Sequence, residues 1–269
     1  MPTNKVPQVL LRGGGDLATG VALRLFRAGI RVAVAELPQP LAVRRSVSFA
    51  EAVYEGRHTV EGVTARLTQR DQFPASLEAG EIPVLIDPDA DILSVFQFPV
   101  VVDARLTKQT PPPLPTIVPL HIGLGPGFHA GENCHAVIET RRSHTLGRVY
   151  WTGTTQPDSG EPEGDPRRVL RAPGDGVLLS KAKIGDYVDE GQTLAMIGGT
   201  WEVVSPFRGI LRGLIHDGLH ATRGMKIGDV DARNDASACL LVSDKALAIG
   251  GGVLEAILSK EEIRKGIYG

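Results

Sequence analysis

The chain has 269 residues, of which 42% are hydrophobic and 22% are charged, and its formal net charge is -2. This composition is that of a globular protein with a substantial core, and it excludes a disordered or fibrous chain. The nearly balanced, scattered charges exclude the long-range field that would gather nucleic acid or an anionic membrane.

Cysteine usage and the absence of targeting signals predict a cytoplasmic protein. The chain has two cysteines, Cys134 and Cys239, which allow at most one disulfide. No charged and apolar leader precedes the first predicted strand, and no apolar run approaches the roughly 18 residues that a membrane-spanning helix needs. We therefore expect a protein of a reducing compartment with no membrane span.

The first predicted elements are a strand, a glycine-rich turn and a helix. Residues 9–11 are apolar and lead into the glycines at 13–15. From Asp16 onward, apolar residues recur every three to four positions until Gly29, which predicts an amphipathic helix. Residues 30–35 then read as a second buried strand. This order of elements is typical of a nucleotide-binding crossover.

The turn carries the pattern G-x-G-x-x-A, with Gly13, Gly15 and Ala18 at the fixed positions. Glycine lets the main chain approach a phosphate, and the helix that follows offers N–H groups and a partial positive charge. Glu36 ends the second strand, where a carboxylate can accept hydrogen bonds from ribose hydroxyls. Asp16 would repel a pyrophosphate unless it caps the helix. The alternative is a turn that only permits tight packing.

Strands alternate with helices through the rest of the first half. Helical spacing is predicted at 43–54 and 90–96, and the prolines between 111 and 115 form a stiff connection. The alternation predicts an α/β fold with a Rossmann-like, mainly parallel sheet over residues 1–160. The further strands are predicted at 60–67, 83–86, 100–103, 117–122, 135–140 and 148–152.

An internal repeat follows a boundary predicted in the Pro-, Gly- and acid-rich stretch at 158–166. An offset of 33 positions sets Gly176 on Gly209 and Gly185 on Gly218, with apolar positions matching between them. The repeated segments are short and β-prone, and they lack helical spacing. We predict two interleaved β-halves.

These halves predict a C-terminal barrel-sandwich module, biotinyl- or lipoyl-like, over residues 167–232. The hairpin tip that carries biotin or lipoate in such modules corresponds to residues 195–200, which contain no lysine. We therefore expect no covalent biotin or lipoate. Residues 233–269 are predicted to be helical and to pack on the first domain.

Several polar residues lie near predicted strand ends. Asp103, Arg105 and Lys108 follow the strand at 100–103, at the edge where open α/β sheets bind ligands, although an internal ion pair would explain them as well. Arg12, Arg44 and Arg45 could supply planar contacts to an anion, although surface arginines are usually solvated. The predicted ligand-binding residues are Gly13, Gly14, Gly15, Asp16, Thr19, Gly20, Glu36, Arg45, Asp103, Arg105, Gly125 and Gly127.

Gly125 and Gly127 belong to a second glycine-rich stretch, at 121–135, which suits close approach of a bulky ligand. Its histidines and Cys134 form no pair with zinc-site spacing, so we predict no metal site. No Ser/His/Asp or Cys/His catalytic arrangement can be assembled, and no catalytic residue is assigned. Isolated histidines held within a loop are the alternative.

Five segments carry a resemblance to a known family: LLRGGGDLATG at 10–20, RSVSFA at 45–50, VDARL at 102–106, GLGPGF at 123–128 and IGGGVLE at 249–255. They resemble the accessory proteins of bacterial selenium-dependent molybdenum hydroxylase systems. The resemblance implies maturation or cofactor handling, through molybdopterin or selenium, of a client molybdenum hydroxylase. It also implies noncovalent binding of a nucleotide or molybdopterin-type ligand.

Two other functions remain open from the residues. The glycine turn with Glu36 would serve an NAD(P)-dependent oxidoreductase acting on a small molecule. Alternatively, both motifs are packing features of a structural binding module. The sequence leaves open whether the chain is an enzyme and whether it forms a homo-oligomer, and it predicts neither a nucleic-acid nor a membrane partner.

Overall fold

The computed structural model describes residues 7–161, 164–233 and 235–268. The chain divides into two compact units. Unit 1 comprises Met1–Pro40, Ser48–Asp158 and Val242–Gly269, and unit 2 comprises Leu41–Val47 and Ser159–Leu241. The predicted boundary at 158–166 includes residues 162 and 163, which lie outside the described residues. Residues 41–47, predicted within the first domain, group with unit 2.

Unit 1 is built on one nine-stranded sheet with the order β3-β4-β5-β2-β1-β6-β7-β8-β9. The strands from β4 to β8 along this order are parallel, whereas β3 and β9 pair antiparallel at the two edges. The strands are β1 (Val9–Arg12), β2 (Val32–Glu36), β3 (Arg57–Val60), β4 (Val63–Leu67), β5 (Ile82–Ile86), β6 (Val100–Asp103), β7 (Leu120–Leu124), β8 (Ala136–Ile138) and β9 (Val149–Tyr150).

Few helices accompany this sheet. The helices are α1 (Asp16–Arg27), α2 (Ala52–Glu55), α3 (Phe73–Glu78), α4 (Asp244–Ser259) and α5 (Glu261–Tyr268). Helix α1 crosses from β1 to β2, and α4 packs along it, where a Cβ added to Gly20 would lie 2.6 Å from the Cβ of Ala246. Across the described residues, no helix combines the length and hydropathy that a bilayer span requires.

The Rossmann-like prediction for this sheet is wrong, because the expected crossover helices are missing. The described connections from β6 to β7 and from β7 to β8 contain no helix. The helix predicted at 43–54 is two short 3-10 turns followed by the single turn α2, and the one predicted at 90–96 is the 3-10 turn Asp91–Ser94. A wide mixed sheet therefore takes the place of a doubly wound one.

Unit 2 consists of two four-stranded antiparallel sheets, ordered β10-β17-β15-β12 and β14-β13-β11-β16. β11 begins at Gly176 and β15 at Gly209, 33 positions apart, and each sheet takes two strands from each half of the repeat. The strands are β10 (Val169–Arg171), β11 (Gly176–Ser180), β12 (Tyr187–Val188), β13 (Thr193–Ile197), β14 (Trp201–Val204), β15 (Gly209–Leu214), β16 (His220–Ala221) and β17 (Lys226–Asp231).

The segment 41–47 is tied to unit 2 by its polar side chains. Arg45 donates from Nε to the carbonyl of Leu214 at 3.1 Å, and Arg44 donates to the carbonyls of Ala238 and Leu241 at 3.1 and 3.0 Å. Main-chain carbonyls of unit 2 therefore accept hydrogen bonds from both guanidinium groups. The expected helix at 43–54 cannot form, because the chain passes from unit 2 to unit 1 in the middle of it.

Candidate site at the carboxyl edge of the sheet

The order of the strands in unit 1 reverses at β1. β2 follows β1 through α1 on one side, whereas β6, which comes later in the chain, pairs with β1 on the other side. Open α/β sheets bind ligands outside the carboxyl ends of their strands at such a reversal. The residues that end β1 and β6, Arg12 and Asp103, are paired in register at this edge.

The glycine turn after β1 is held by the protein's own chain. The amide of Gly14 donates to Glu36 Oε2 at 2.6 Å, and its carbonyl accepts from the amide of Ala50 at 2.9 Å. The Thr19 hydroxyl accepts from the amide of Phe49 at 2.9 Å. A Cβ added to Gly14 would lie 2.9 Å from the nitrogen of Ala50. Gly14 therefore serves close packing of the segment that covers it.

Glu36 also binds the protein's own main chain. Its Oε1 accepts from the amide of Leu37 at 2.7 Å, so both carboxylate oxygens bind main-chain N–H groups. Burial raises the pKa of Glu36, while the two amides oppose that shift. Each oxygen keeps a second lone pair, but the side chain is only 8% exposed, so this carboxylate serves the protein's own main chain rather than the open edge.

The start of α1 is more open than the turn before it. The N-cap residue is Gly15, which has no side chain to cap the helix, and a Cβ added to it would meet nothing within 4 Å. Asp16 is the first helical residue rather than the cap. Gly20 faces α4, so its lack of a side chain serves packing between helices rather than a ligand.

A buried ion cluster lies at the ends of β1 and β6. Asp103 is 1% exposed, and Arg105 binds it with two bonds, from Nε to Oδ1 at 2.9 Å and from Nη2 to Oδ2 at 2.6 Å. Arg12 is 4% exposed and reaches Asp103 only at 3.5 Å and the carbonyl of Pro88 only at 3.4 Å. Burial lowers the pKa of Arg12, and the charge of Arg105 adds to that shift.

The Asp103–Arg105 contact recurs elsewhere as a local turn. Asp165–Arg167 and Asp231–Arg233 have the same spacing, and in each pair the arginine Nη2 lies 2.6 Å from the aspartate Oδ2. Both of those arginines are exposed. The spacing alone therefore produces the two-bond contact. A second guanidinium also reaches Asp231, that of Arg212 at 3.2 Å, so the burial of Asp103 and Arg12 is what distinguishes this cluster.

His121 shares a sheet face with this cluster. Asp103 pairs with Gly123 of β7, and His121 lies two residues before Gly123, so its side chain points to the same face. His121 is 8% exposed, and its Nε2 has no partner among the described residues. Burial lowers the pKa of His121 to about 4, although Asp103 acts in the opposite direction. The ring is neutral at neutral pH.

Cys134 offers no reactive thiolate. It is 8% exposed and packs with Phe128, Ala130 and Val137, and burial raises its pKa to about 11. No group of three or more His, Cys, Asp or Glu side chains in the described part of the chain is placed to hold a metal ion. A thiol that is buried with a raised pKa is not activated for nucleophilic chemistry.

The glycines of the second glycine-rich stretch also contact the chain itself. A Cβ on Gly125 would lie 2.5 Å from Thr140 Oγ1, and one on Gly127 would collide with the carbonyl oxygen of Gln109. The loop that contains Gln109 has two non-glycine residues with positive φ, Leu106 at 55° and Lys108 at 60°. Such strain persists where the surroundings hold the loop in place.

The structure thus gathers most of the predicted ligand-binding residues at one edge. The turn, Glu36, Asp103, Arg105 and the stretch with Gly125 and Gly127 all follow the carboxyl ends of adjacent strands. Arg45 lies in unit 2 and Gly20 lies between helices. The sequence did not predict His121 as a site residue, because nothing in its spacing shows that β7 places it on the face of Asp103.

The comparisons with known proteins return one curated relative. No protein-family model matches the chain. A protein of Escherichia coli (strain K12) named "Uncharacterized protein YqeB" is 48% identical over 255 residues, which cover 93% of this chain and 47% of the relative. The chain therefore spans about half the length of the curated relative that it matches.

Three solved structures align with the chain at low similarity. An aspartoacylase family protein from Mesorhizobium loti has a TM-score of 0.27 at 10% identity and covers 86% of both chains. A succinylglutamate desuccinylase/aspartoacylase from Rhodobacter sphaeroides has 0.27 at 14%, covering 83% of this chain and 85% of that one. The apo ectoine utilization protein EutE from Ruegeria pomeroyi has 0.25 at 9%, covering 86% and 88%. Such values transfer neither a fold nor an activity.

These findings overturn the family and function predicted from the sequence. None of the names of these proteins refers to maturation of selenium-dependent molybdenum hydroxylases, to a biotinyl or lipoyl carrier, or to an NAD(P)-dependent oxidoreductase. The molybdenum hydroxylase resemblance, the barrel-sandwich assignment and the predicted roles in maturation and hydride transfer are therefore wrong. For NAD(P), the physical reason is that Glu36 and residues 48–50 occupy the turn.

Other sequence-based expectations stay predictions. These are a nucleotide or molybdopterin-type ligand without covalent biotin or lipoate, the lack of nucleic-acid and membrane partners, and a homo-oligomer. The client molybdenum hydroxylase was inferred only from the resemblance that the comparisons overturn.

Proposed function

We propose that unit 1 binds a small molecule carrying an oxyanion group, a carboxylate or a phosphate, beside Arg12 at the carboxyl edge between β1 and β6. The observation that carries this proposal is the poor pairing of Arg12. Its guanidinium is buried, yet its contacts to Asp103 and Pro88 are 3.5 and 3.4 Å long. Charged hydrogen bonds of arginine are normally shorter, at about 2.7–2.9 Å.

The local charges leave room for one anion. Two guanidinium groups, those of Arg12 and Arg105, contact one carboxylate, that of Asp103. Asp89 and Asp87 also raise the pKa of Arg12, but Asp89 is exposed to solvent, which screens its charge, and the two oxygens of Asp87 are engaged by the amides of Asp91 and Ile92. A buried cation lowers its free energy when it gains a direct, short contact with an anion. A planar fork also favours carboxylate or phosphate over halide.

Two features of the surroundings support the same ligand class. The start of α1 lies at this edge, and its N–H groups and partial positive charge favour an anion. The open space at Gly15 leaves that helix end accessible. In addition, Leu106 and Lys108 hold strained backbone in the loop after Arg105, and such strain concentrates at ligand sites.

The test is an anion titration followed by thermal unfolding and calorimetry. Phosphate, malonate and ADP are titrated against sodium chloride at equal ionic strength, because chloride reports screening alone. A ligand present at about 100 times its Kd should stabilise the folded protein by about 2.7 kcal/mol. We expect phosphate or malonate to raise the melting temperature above the chloride control.

Two variants at the proposed site and one control variant in unit 2 locate the effect. Arg12→Met removes the cation and should abolish the anion-specific rise. Arg105→Gln should weaken it, whereas Arg233→Gln, which removes the arginine of the same local turn in unit 2, should leave it unchanged. A rise that persists in Arg12→Met, or no rise above chloride with any of the three anions, refutes the proposal.

A further inference from the structure

Unit 1 also contains a cleft of about 540 Å³ at the opposite edge of the sheet. Pro99 and Pro119 line this cleft. They immediately precede β6 and β7, so the cleft lies at the amino ends of these strands. Ile263 of α5 and Trp151 add apolar surface. This volume is in the range of small-molecule sites, about 300–1,000 Å³.

One cation in the cleft lacks an anionic partner. Lys260 lies at the junction of α4 and α5, and its Nζ stands 4.0 Å from the centroid of the Trp151 ring. In the described part of the chain, this ammonium group has no carboxylate within ion-pair distance. By contrast, Lys265 of α5 pairs with Glu261 at 2.6 Å. The ring face orients the ammonium group without neutralising it.

His135 adds a donor whose direction is fixed. Its Nδ1 accepts from the amide of His121 at 2.8 Å, so a neutral ring carries its proton on Nε2. The side chain is exposed and lines the cleft. Lys260 and His135 together can therefore hold a carboxylate, one through an ammonium group and the other through an N–H donor.

Glu262 contributes the opposite charge to the same cleft. It is exposed, and no described residue forms a hydrogen bond or ion pair with its carboxylate. A simple organic anion would be repelled by this group, whereas a ligand that also carries an amine would be attracted. We propose that the cleft binds a zwitterionic small molecule of the α-amino acid class, whose apolar side chain lies against Trp151 and the two prolines.

The test uses the fluorescence of Trp151. The chain has two tryptophans, Trp151 and Trp201, so Trp201→Phe leaves Trp151 as the one reporter. This variant is titrated with L-leucine, with 4-methylpentanoate, which lacks the amine, and with 3-methylbutylamine, which lacks the carboxylate. We expect a saturable change with leucine and a Kd at least about tenfold higher for each analogue, and calorimetry checks the same values.

Matched variants in α5 and at its junction with α4 test the assignment of charges. Lys260→Gln should raise the Kd for leucine at least about tenfold, whereas Lys265→Gln should leave it unchanged. Glu262→Gln should reduce the preference for leucine over 4-methylpentanoate, and Glu261→Gln should not. Equal binding of leucine and 4-methylpentanoate, equal effects of the two lysine variants, or no saturable signal with leucine, phenylalanine or glutamate overturns the proposal.

Discussion

Glu36 holds the glycine turn through two hydrogen bonds that a glutamine cannot reproduce. The amides of Gly14 and Leu37 are both donors, and a glutamine offers one acceptor oxygen and places its own NH₂ against the other donor. Glu36→Gln should therefore lower the free energy of unfolding by about 1–3 kcal/mol, measured by urea denaturation at pH 7. Glu78→Gln, at an exposed residue of α3, should change it by less than about 0.5 kcal/mol. Equal stability of the two variants would contradict this role.

His121 predicts a loss of stability in mild acid. Its pKa falls from 6.5 to about 4 on burial, so between these values the unfolded chain binds a proton that the folded chain does not. The free energy of unfolding should therefore decrease as the pH falls from 6.5 toward 4, by an amount approaching about 3 kcal/mol. His121→Gln should flatten this part of the stability profile in urea melts at a series of pH values. The same profile with His220→Gln, at an exposed histidine, should retain the slope.

At the candidate site, the sequence predicts the positions of several residues but not the contacts that they make. The turn at 13–15, Glu36 and Asp103 are visible because they end predicted strands, and the structure does place them at one edge. Their use is not visible, since only the fold shows that Glu36 binds Gly14 and that Arg12 is buried beside Asp103. Contacts between residues far apart in the chain leave no local pattern.

At the scale of elements, two helical glycines differ in their part in the packing of α1 against α4: one lies in the contact and the other lies outside it. Gly20 faces Ala246 at a distance that leaves no room for a methyl group, whereas a Cβ on Gly251 of α4 would meet nothing within 4 Å. Gly20→Ala should destabilise the protein by about 1–3 kcal/mol through overpacking. Gly251→Ala should stabilise it by up to about 1 kcal/mol through helix propensity. Thermal melts of both variants check the signs, and a stabilising Gly20→Ala would disprove the tight contact.

The elements also separate predictable from unpredictable parts of the fold. The first strand, turn, helix and second strand follow directly from apolar spacing, and the structure places them at β1, α1 and β2. The helix predicted at 43–54 fails because long-range contacts of Arg44 and Arg45 override its spacing. The connections that lack crossover helices were partly predictable, since the prolines at 111–115 and the glycine-rich stretch at 121–135 show no helical spacing.

At the scale of the whole molecule, unit 1 needs both ends of the described chain. Helix α4, from the last segment, packs on α1, from the first. A chain ending at Asp158 keeps all nine strands but lacks α4, so it should expose the apolar face of α1 and lose its cooperative thermal transition. Removal of 261–268 alone spares α4 and should keep that transition at a lower temperature. A sharp melt of the chain ending at Asp158, near that of the full chain, would contradict this dependence.

The division of units was only partly accessible from the sequence. The repeat at an offset of 33 positions marks the strands of unit 2, because equal spacing of glycines and apolar residues is a local signal. The sequence gives no local signal that Leu41–Val47 belongs to that unit, because seven residues are too few to show a periodicity of their own. Only the carbonyl partners of their arginines show where they belong.

The late position of α4 governs the order in which the protein can mature on the ribosome. By the time residue 241 has emerged, all the strands of unit 2 have been synthesised. The segment 41–47, which also belongs to unit 2, was synthesised much earlier. The sheet of unit 1, although synthesised first, still waits for residues 244–259. Unit 2 can therefore complete its fold first, and the apolar surface of unit 1 that α4 covers stays exposed until residues 244–259 have been synthesised.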